Sequence, residues 1–208
     1  MTADVRNPSP TKFRLSAAVV QRLLPIRPPY LMIDRVDAFD PGATPTLRSS
    51  RALSVNDPVF VGHFPDLAVL PGAQILESMA QSSGVLAAIV LVQRAFESAG
   101  HSPDEALEAL LNLDRGLRLD PRYRPALDIA LVTALQGLER GRVGMLASSQ
   151  LKFLHPVFPG DHLEFVTRAV RESGSVWHFE VDAEVGGAPV ARGALTTALV
   201  SSRLPATP

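Results

Sequence analysis

A long apolar segment in the first half of the chain constrains the fold more than any other feature. Residues 72–94 show helical periodicity, with one side formed by Ile75, Met79, Leu86 and Val90. Alanines lie on the other faces, which favours close contact with surrounding elements. The most apolar run, residues 84–92, is too short to span a bilayer. The sequence therefore predicts a helix buried in the core and no membrane insertion.

The second half of the chain predicts strands. Four β-rich stretches occupy residues 143–153, 162–171, 176–185 and 189–200. Turn residues separate them at Pro159-Gly160-Asp161, Ser173-Gly174 and Gly186-Gly187, which predicts hairpins and an antiparallel meander. Two earlier strands are expected at residues 30–39 and 46–55, and a short helix at residues 17–24 with Ser16 as its cap. One long helix wrapped by an antiparallel sheet is an α+β arrangement.

The chain of 208 residues is 46% hydrophobic, and we expect a single domain over residues 13–200. Residues 1–12 are polar and proline-rich and predict a mobile arm, and residues 201–208 predict a disordered tail. An extra helical insert is predicted at about residues 96–141. Its start, Ser102-Pro103-Asp104-Glu105, is a capping box, and leucines recur after it at helical spacing. The insert is therefore expected to be a folded helical pair.

Composition excludes several kinds of chemistry. The chain has no cysteine, so disulfides, thiolate zinc sites and cysteine nucleophiles are excluded. A net charge of −1 implies no general affinity for nucleic acid. His155, His162 and His178 lack the spacing of metal ligands, and no nucleotide-binding glycine pattern is present. With neither cysteine nor an apolar leader pattern, we expect a cytoplasmic protein.

One constellation carries reactive groups at the start of the predicted central helix. His63 lies in a loop bounded by glycine and proline, Gly72 follows Pro71 at the helix start, and Glu77 comes fourteen positions after His63. An imidazole removes a proton near neutral pH, and a carboxyl group in apolar surroundings returns one. The free N–H groups of a helix N-terminus bind a carbonyl oxygen. Together these groups suit proton abstraction next to a thioester.

Four segments carry a resemblance to a known family: LPIRPPYLMIDRV (residues 24–36), GHFP (62–65), PGAQILESMAQ (71–81) and FLHPVFPGD (153–161). With these motifs the chain resembles the hotdog-fold 3-hydroxyacyl-acyl-carrier-protein dehydratases, the FabZ and FabA group, over residues 23–95 and 143–200. The resemblance implies an antiparallel sheet wrapped around a central helix. It also implies loss of water from a 3-hydroxyacyl thioester, in fatty-acid or in polyketide and polyene synthesis.

The resemblance assigns a role to each site residue. His63 would be the general base and Glu77 the general acid, contributed by different subunits of a homodimer or of a trimer of dimers. The backbone N–H of Gly72 would bind the thioester carbonyl, and the acyl chain would enter a tunnel beside the central helix. Contact with substrate is also expected for Phe64, Pro71 and Gln81, and Gln81 is one helical turn from Glu77. The substrate would be carried by phosphopantetheine on acyl carrier protein, with no other cofactor and no metal.

The chain departs from the family pattern at three places. Asp66 and Ala68 replace the family's glycine and proline after His-Phe-Pro, and Ile26 replaces its usual histidine. The third departure is the insert, whose four arginines (115, 118, 122 and 124) form either a solvated face or a surface for the acidic carrier protein. Two other functions stay open: a hotdog thioesterase or CoA-linked hydratase, and a non-catalytic partner subunit. The His-Phe-Pro loop argues against a thioesterase, and the presence of both His63 and Glu77 argues against a non-catalytic subunit.

Overall fold

A computed structural model describes residues 13–125, 129–139 and 142–201. The helices are α1 (Ala17–Leu23), α2 (Val59–Gly62), α3 (Gly72–Ser98), α4 (Pro103–Leu119) and α5 (Ile129–Glu139). The strands are β1 (Leu15–Ser16), β2 (Arg35–Asp40), β3 (Thr46–Ala52), β4 (Arg142–Phe153), β5 (His162–Ser173), β6 (Val176–Val185) and β7 (Ala188–Ser201). The predicted arm, residues 1–12, lies outside the described residues. So does most of the predicted tail, since Ser201 is the last residue of β7.

The strands form one antiparallel sheet in the order β1-β2-β3-β5-β6-β7-β4. The sheet surrounds the long helix α3, which confirms the predicted α+β arrangement and the hotdog fold. One part of the predicted meander is wrong, because β4 pairs with β7 and not with β5, whose partners are β3 and β6. Pro159-Gly160-Asp161 is therefore no hairpin turn. It belongs to the connection between β4 and β5, and there Gly160 N–H donates to Leu53 O.

Helix α3 is buried on most sides and is fixed to the sheet by hydroxyl groups. Ser82 Oγ lies 2.8 Å from Ser49 Oγ on β3 and 2.8 Å from Thr167 Oγ1 on β5. Among the described residues, α3 is the helix whose length and hydropathy would suffice to cross a membrane. In its apolar 18-residue stretch, however, 72% is buried inside the fold. The apolar surface of α3 is thus used against the sheet and the other helices, as expected for a core helix.

The insert is built into the same core. The predicted capping box is present: Glu105 N–H donates to Ser102 Oγ (3.2 Å), and Ser102 N–H donates to Glu105 Oε2 (2.6 Å). Helix α4 then buries a stripe of apolar side chains, Ala106, Ala109, Leu110, Leu113 and Leu117, in the main hydrophobic cluster. The predicted second helix begins at Ile129, and residues 126–128 lie outside the described part of the chain.

A buried carboxylate links the insert to the start of the domain. Asp114 on α4 accepts a hydrogen bond from Ser16 N–H (2.7 Å) and another from Ser16 Oγ, and its other oxygen pairs with Arg118 Nε at 2.8 Å. Ser16 occupies the N-cap position of α1, as predicted, but its hydroxyl makes no capping bond because it donates to Asp114. Asp114 is only 5% exposed, so this contact is part of the protein interior.

Several element boundaries differ from those predicted. The first long strand starts at Arg35 and not at residue 30, because Tyr30 and Met32 are hydrogen-bonded to the Gln81 side chain on α3. The next strand ends at Ala52, and α3 extends to Ser98. These changes leave the predicted element types intact, but the sequence analysis missed two short elements: the two-residue strand β1, and the single turn of α2 within a stretch interpreted as loop.

Candidate functional site

His63 is held by its own loop in one tautomer. It follows the single turn of α2, and its backbone N–H donates to Val59 O at 3.2 Å. The ring Nδ1 lies 2.7 Å from Val69 O. A carbonyl oxygen only accepts, so Nδ1 carries the proton and Nε2 of the neutral ring keeps its lone pair. The half-buried imidazole is therefore arranged as a base at Nε2.

The loop around His63 is closed by backbone hydrogen bonds. Phe64 and Leu67 exchange two N–H···O bonds (2.8 and 3.1 Å), and Val69 N–H donates to His63 O at 2.9 Å. Leu70 N–H then donates to Val157 O, which joins this loop to the connection between β4 and β5. The loop that contains residues 62–65 is thus bonded to the segment 153–161, although the two motifs are far apart in sequence. The exposed Phe64 ring stacks on the His63 ring with centroids 4.2 Å apart.

Gly72 is the first residue of α3, and Pro71 occupies its N-cap position. The Gly72 N–H has no acceptor within the helix because the first N–H groups of any α-helix lack one. A Cβ at Gly72 would lie 3.0 Å from the Phe153 ring at the end of β4. Glycine here allows the aromatic ring to cover the helix start, and the structure provides at this point an N–H donor suited to a substrate oxygen.

Glu77 is held by an amide on the next turn of α3. Gln81 Nε2 donates to Glu77 Oε1 at 2.8 Å and to Tyr30 O at 2.9 Å, and Gln81 Oε1 accepts from Met32 N–H at 2.7 Å. Gln81 is only 3% exposed. Its amide therefore fixes the carboxyl group of Glu77 and joins α3 to residues 30–32. Contact of Gln81 with substrate stays a prediction.

Tyr30 is a neighbour of Glu77 that the sequence analysis missed as a site residue. The negative charge of Glu77 raises the pKa of the Tyr30 hydroxyl above its ordinary value, with smaller contributions from desolvation and from a hydrogen bond between the two side chains. Tyr30 lies in the family-like segment 24–36, but no spacing rule connects it to Glu77. Only the folding of that segment against α3 brings them together.

A cavity of about 720 Å³ extends from Glu77 along one face of α3; we call it the α3 cavity. Its lining on α3 runs from Glu77 and Gln81 to Ala95, and residues of 22–27, α5, β4 and β7 also line it. The remaining predicted site residues, His63, Phe64, Pro71 and Gly72, are not among its lining residues. Within the described part of one chain, the proposed acid thus opens onto the cavity, whereas the proposed base lies outside it.

The other polar residues singled out from the sequence make local contacts. Arg118 pairs with Asp114, Arg115 donates to Asn112 Oδ1, and Arg124 donates to backbone carbonyls of Arg122 and Tyr123. The ring nitrogens of His162 and His178 lie near Arg35 and Thr196, respectively. In the part of the chain that the structure describes, no group of three or more histidines or carboxylates could hold a metal ion.

Gln81→Met is expected to lower kcat about 10-fold to 100-fold with little change in KM, because a carboxyl group that is no longer held in position loses alignment with its substrate. The measurement is steady-state kinetics of the dehydration proposed below. Gln93→Met is the matched control, since Gln93 is also a buried amide on α3 but donates to Pro103 O, far along the helix from Glu77. Equal losses in the two variants would contradict a positioning role for Gln81.

Comparisons with known proteins find two matching family models and a set of similar relatives. Residues 24–106 match the FabA-like domain family and residues 123–190 match the Thioesterase superfamily. A 3-hydroxyacyl-[acyl-carrier-protein] dehydratase FabZ of Anaeromyxobacter sp. (strain Fw109-5) is 33% identical over 177 residues, 85% of each chain. The FabZ of a Nitratiruptor species is 29% identical over 186 residues, which cover 89% of this chain and 98% of that relative.

Solved structures with a similar arrangement have low sequence identity. The dehydratase heterocomplex ApeI:P from Xenorhabdus doucetiae has a TM-score of 0.49 at 16% identity, covering 92% of this chain and 91% of that chain. A Streptococcus mutans protein bound to acetyl CoA has a TM-score of 0.47 at 14% identity, covering 86% of this chain and 96% of that chain.

Proposed function

The chain belongs to the FabZ family of 3-hydroxyacyl-[acyl-carrier-protein] dehydratases, and on that premise we propose that it removes water from a 3-hydroxyacyl thioester carried on acyl carrier protein. The product is the trans-2-enoyl thioester. The observation that carries the proposal is that one chain holds both candidate groups in fixed positions: His63 has Nδ1 bonded to Val69 O, and Glu77 is held by Gln81 and lines the α3 cavity.

In the proposed mechanism His63 Nε2 takes the proton from C2 of the substrate. The Gly72 N–H donates to the thioester oxygen, on which negative charge develops. Glu77 donates a proton to the hydroxyl on C3, which leaves as water while the C2–C3 double bond forms. The reaction ends with His63 protonated and Glu77 ionised, and proton exchange with solvent restores both. Run backwards, the same groups hydrate the 2-enoyl thioester, and no step needs a metal or a redox cofactor.

We propose that His63 and Glu77 of one site come from two subunits of a homodimer. Within one chain, His63 does not line the cavity onto which Glu77 opens. Strand β4 lies at an edge of the sheet, and its residues 144–150 are all exposed. An exposed edge with large apolar residues, here Met145 and Phe153, favours pairing with another chain. Two copies related by a twofold axis would join their sheets at β4. The proposed assembly is therefore either this homodimer or a trimer of such dimers.

A thioesterase is the second candidate, because residues 123–190 match the Thioesterase superfamily. His63, Gly72 and Glu77 lie outside the residues of that match, whereas the FabA-like match contains all three. A hotdog thioesterase would hydrolyse the thioester and release the carrier's thiol. The dehydratase keeps the thioester intact, so the two activities give different products from one substrate.

Mass spectrometry of acyl carrier protein loaded with 3-hydroxyacyl chains of several lengths tests the proposal. We expect a loss of one water from the carrier-bound chain, and the reverse gain when the 2-enoyl thioester is supplied. Release of free carrier thiol without an enoyl product would indicate a thioesterase. No change in any substrate, with a protein shown to be folded, would contradict the proposed function.

A further inference from the structure

Arg51 is a largely buried cation on the face of the sheet that contacts α3. On β3 it alternates with Leu47 and Ser49, whose side chains are buried in the core on that face. Its Nη2 donates to Gln74 Oε1 at 3.2 Å, and only 12% of its side chain is exposed. A charged side chain is costly to bury unless partners compensate its charge.

The partners of Arg51 compensate its charge only in part. Asp57 Oδ2 lies 3.8 Å from Nη2, beyond hydrogen-bond distance, and 33% of the Asp57 side chain is exposed to water. Arg51 Nη1 is buried and has no hydrogen-bond partner within the described residues. Burial lowers the pKa of the Arg51 guanidinium, and the charges of Asp57 and Asp34 oppose this effect. Arginine keeps its proton near neutral pH, so a positive charge remains inside the protein.

The charge of Arg51 lies beside the start of α3, where a cation is unfavourable. Gln74 is the third residue of this helix, two positions after Gly72. The N-terminus of an α-helix carries a partial positive charge, which repels a guanidinium. Arrangements that cost stability in this way are expected where they serve function. Here the helix start and the guanidinium would both stabilise a negative charge on an oxygen bound by the Gly72 N–H.

We propose that Arg51 is a positioning residue of the dehydration, whose positive charge, held at the first turn of α3, stabilises the thioester oxygen as negative charge develops on it. This inference rests on the proposed function, which assigns the Gly72 N–H to that oxygen. Helix geometry places the guanidinium roughly 10 Å from the Gly72 N–H. At that distance, in an effective dielectric constant of about 20, one unit charge changes the rate about 10-fold.

Two substitutions separate the charge of Arg51 from its hydrogen bond. Arg51→Gln removes the charge and keeps a donor for Gln74 Oε1, whereas Arg51→Lys keeps both. In steady-state kinetics with 3-hydroxyacyl-carrier protein, Arg51→Gln should lower kcat about 10-fold and leave KM within about twofold, because the oxygen becomes negative in the transition state and not in the bound substrate. Arg51→Lys should keep kcat within about threefold. Arg48→Gln is the matched control, because Arg48 is an exposed arginine of the same strand.

The melting temperature distinguishes this role from a structural one. Replacing a buried, incompletely compensated charge with an apolar side chain of similar size is often neutral or stabilising. Arg51→Met should therefore melt no more than about 4 °C below the unchanged protein, while its kcat falls at least as much as that of Arg51→Gln. Arg51→Met also serves as the second variant if Arg51→Gln does not fold.

The outcomes separate the inference from the function on which it rests. If folded Arg51→Gln or Arg51→Met keeps kcat within about twofold, Arg51 has no part in the reaction although the dehydratase function stands. Equal losses in Arg51→Lys and Arg51→Gln, or an equal loss in Arg48→Gln, would also overturn the assignment, because the charge at this position would not be the cause. Failure of both neutral variants to fold would assign Arg51 a structural role instead. If the unchanged protein dehydrates no substrate, the proposed function itself fails.

Discussion

Replacing His63 with alanine is expected to lower kcat for dehydration by about 10²–10⁴, because the C2 proton then has no positioned base. The structure leaves Nε2 of the neutral ring as the acceptor, since Nδ1 donates to Val69 O. Glu77→Gln is expected to cause a loss of the same order, because an amide cannot donate a proton to the leaving hydroxyl as an acid does. Both rates follow from the mass-spectrometric assay with substrate in excess.

The control for the histidine is His178→Ala on β6. His178 is another half-buried histidine with a hydrogen-bond partner, Thr196 Oγ1, but it does not line the α3 cavity. The His178→Ala variant should have a kcat within about twofold of that of the unchanged protein, as expected of a substitution away from the reacting groups. Near-unchanged turnover of a folded His63→Ala or Glu77→Gln protein would contradict the assigned roles.

Replacing Asp114 with alanine is expected to lower the free energy of unfolding by about 2–4 kcal/mol. The carboxylate accepts hydrogen bonds from the N–H and the hydroxyl of Ser16 and pairs with Arg118. Its removal leaves the Ser16 N–H in the interior without its acceptor and separates α4 from the start of α1. Urea unfolding followed by circular dichroism measures the change.

Glu108→Ala is the matched control for Asp114, because Glu108 is an exposed carboxylate on the same helix. Its effect should stay within about 0.5 kcal/mol. If the two substitutions have equal effects on stability, the insert is not held to the domain by Asp114. Because α4 also buries its apolar stripe in the main cluster, we expect the insert and the rest of the domain to unfold together in one transition.

Much of the fold was predictable because local patterns decide element type. The apolar periodicity after Gly72 predicted α3, and Ser102 with Glu105 predicted the start of α4. Strand order was not predictable in the same way. Turn residues such as Pro159-Gly160-Asp161 indicate where a strand ends, but strand pairing depends on contacts between residues far apart in the chain. For this reason the pairing of β4 with β7 was missed.

In the candidate site, too, local patterns were predictable from the sequence and contacts between distant residues were not. The spacing of His63, Gly72 and Glu77 lies within one stretch of chain, so the sequence could identify these residues together. Tyr30 and Asp114 carried no such signal. Tyr30 approaches Glu77 because Gln81 binds the backbone at Tyr30 and Met32, and Asp114 is an ordinary helix carboxylate until α4 packs beside Ser16. The α3 cavity likewise depends on α5 packing against α3.

The most direct measurement for the shared acid–base pair is the activity of mixed dimers of His63→Ala and Glu77→Gln. The two variants are produced together with different affinity tags, and the species carrying both tags is purified. If each site takes His63 from one subunit and Glu77 from the other, every mixed dimer has one intact site, and its activity should recover to about half that of the unchanged dimer. Activity no greater than that of either parent variant, in a mixed species shown to be a folded dimer, would contradict a site shared between subunits.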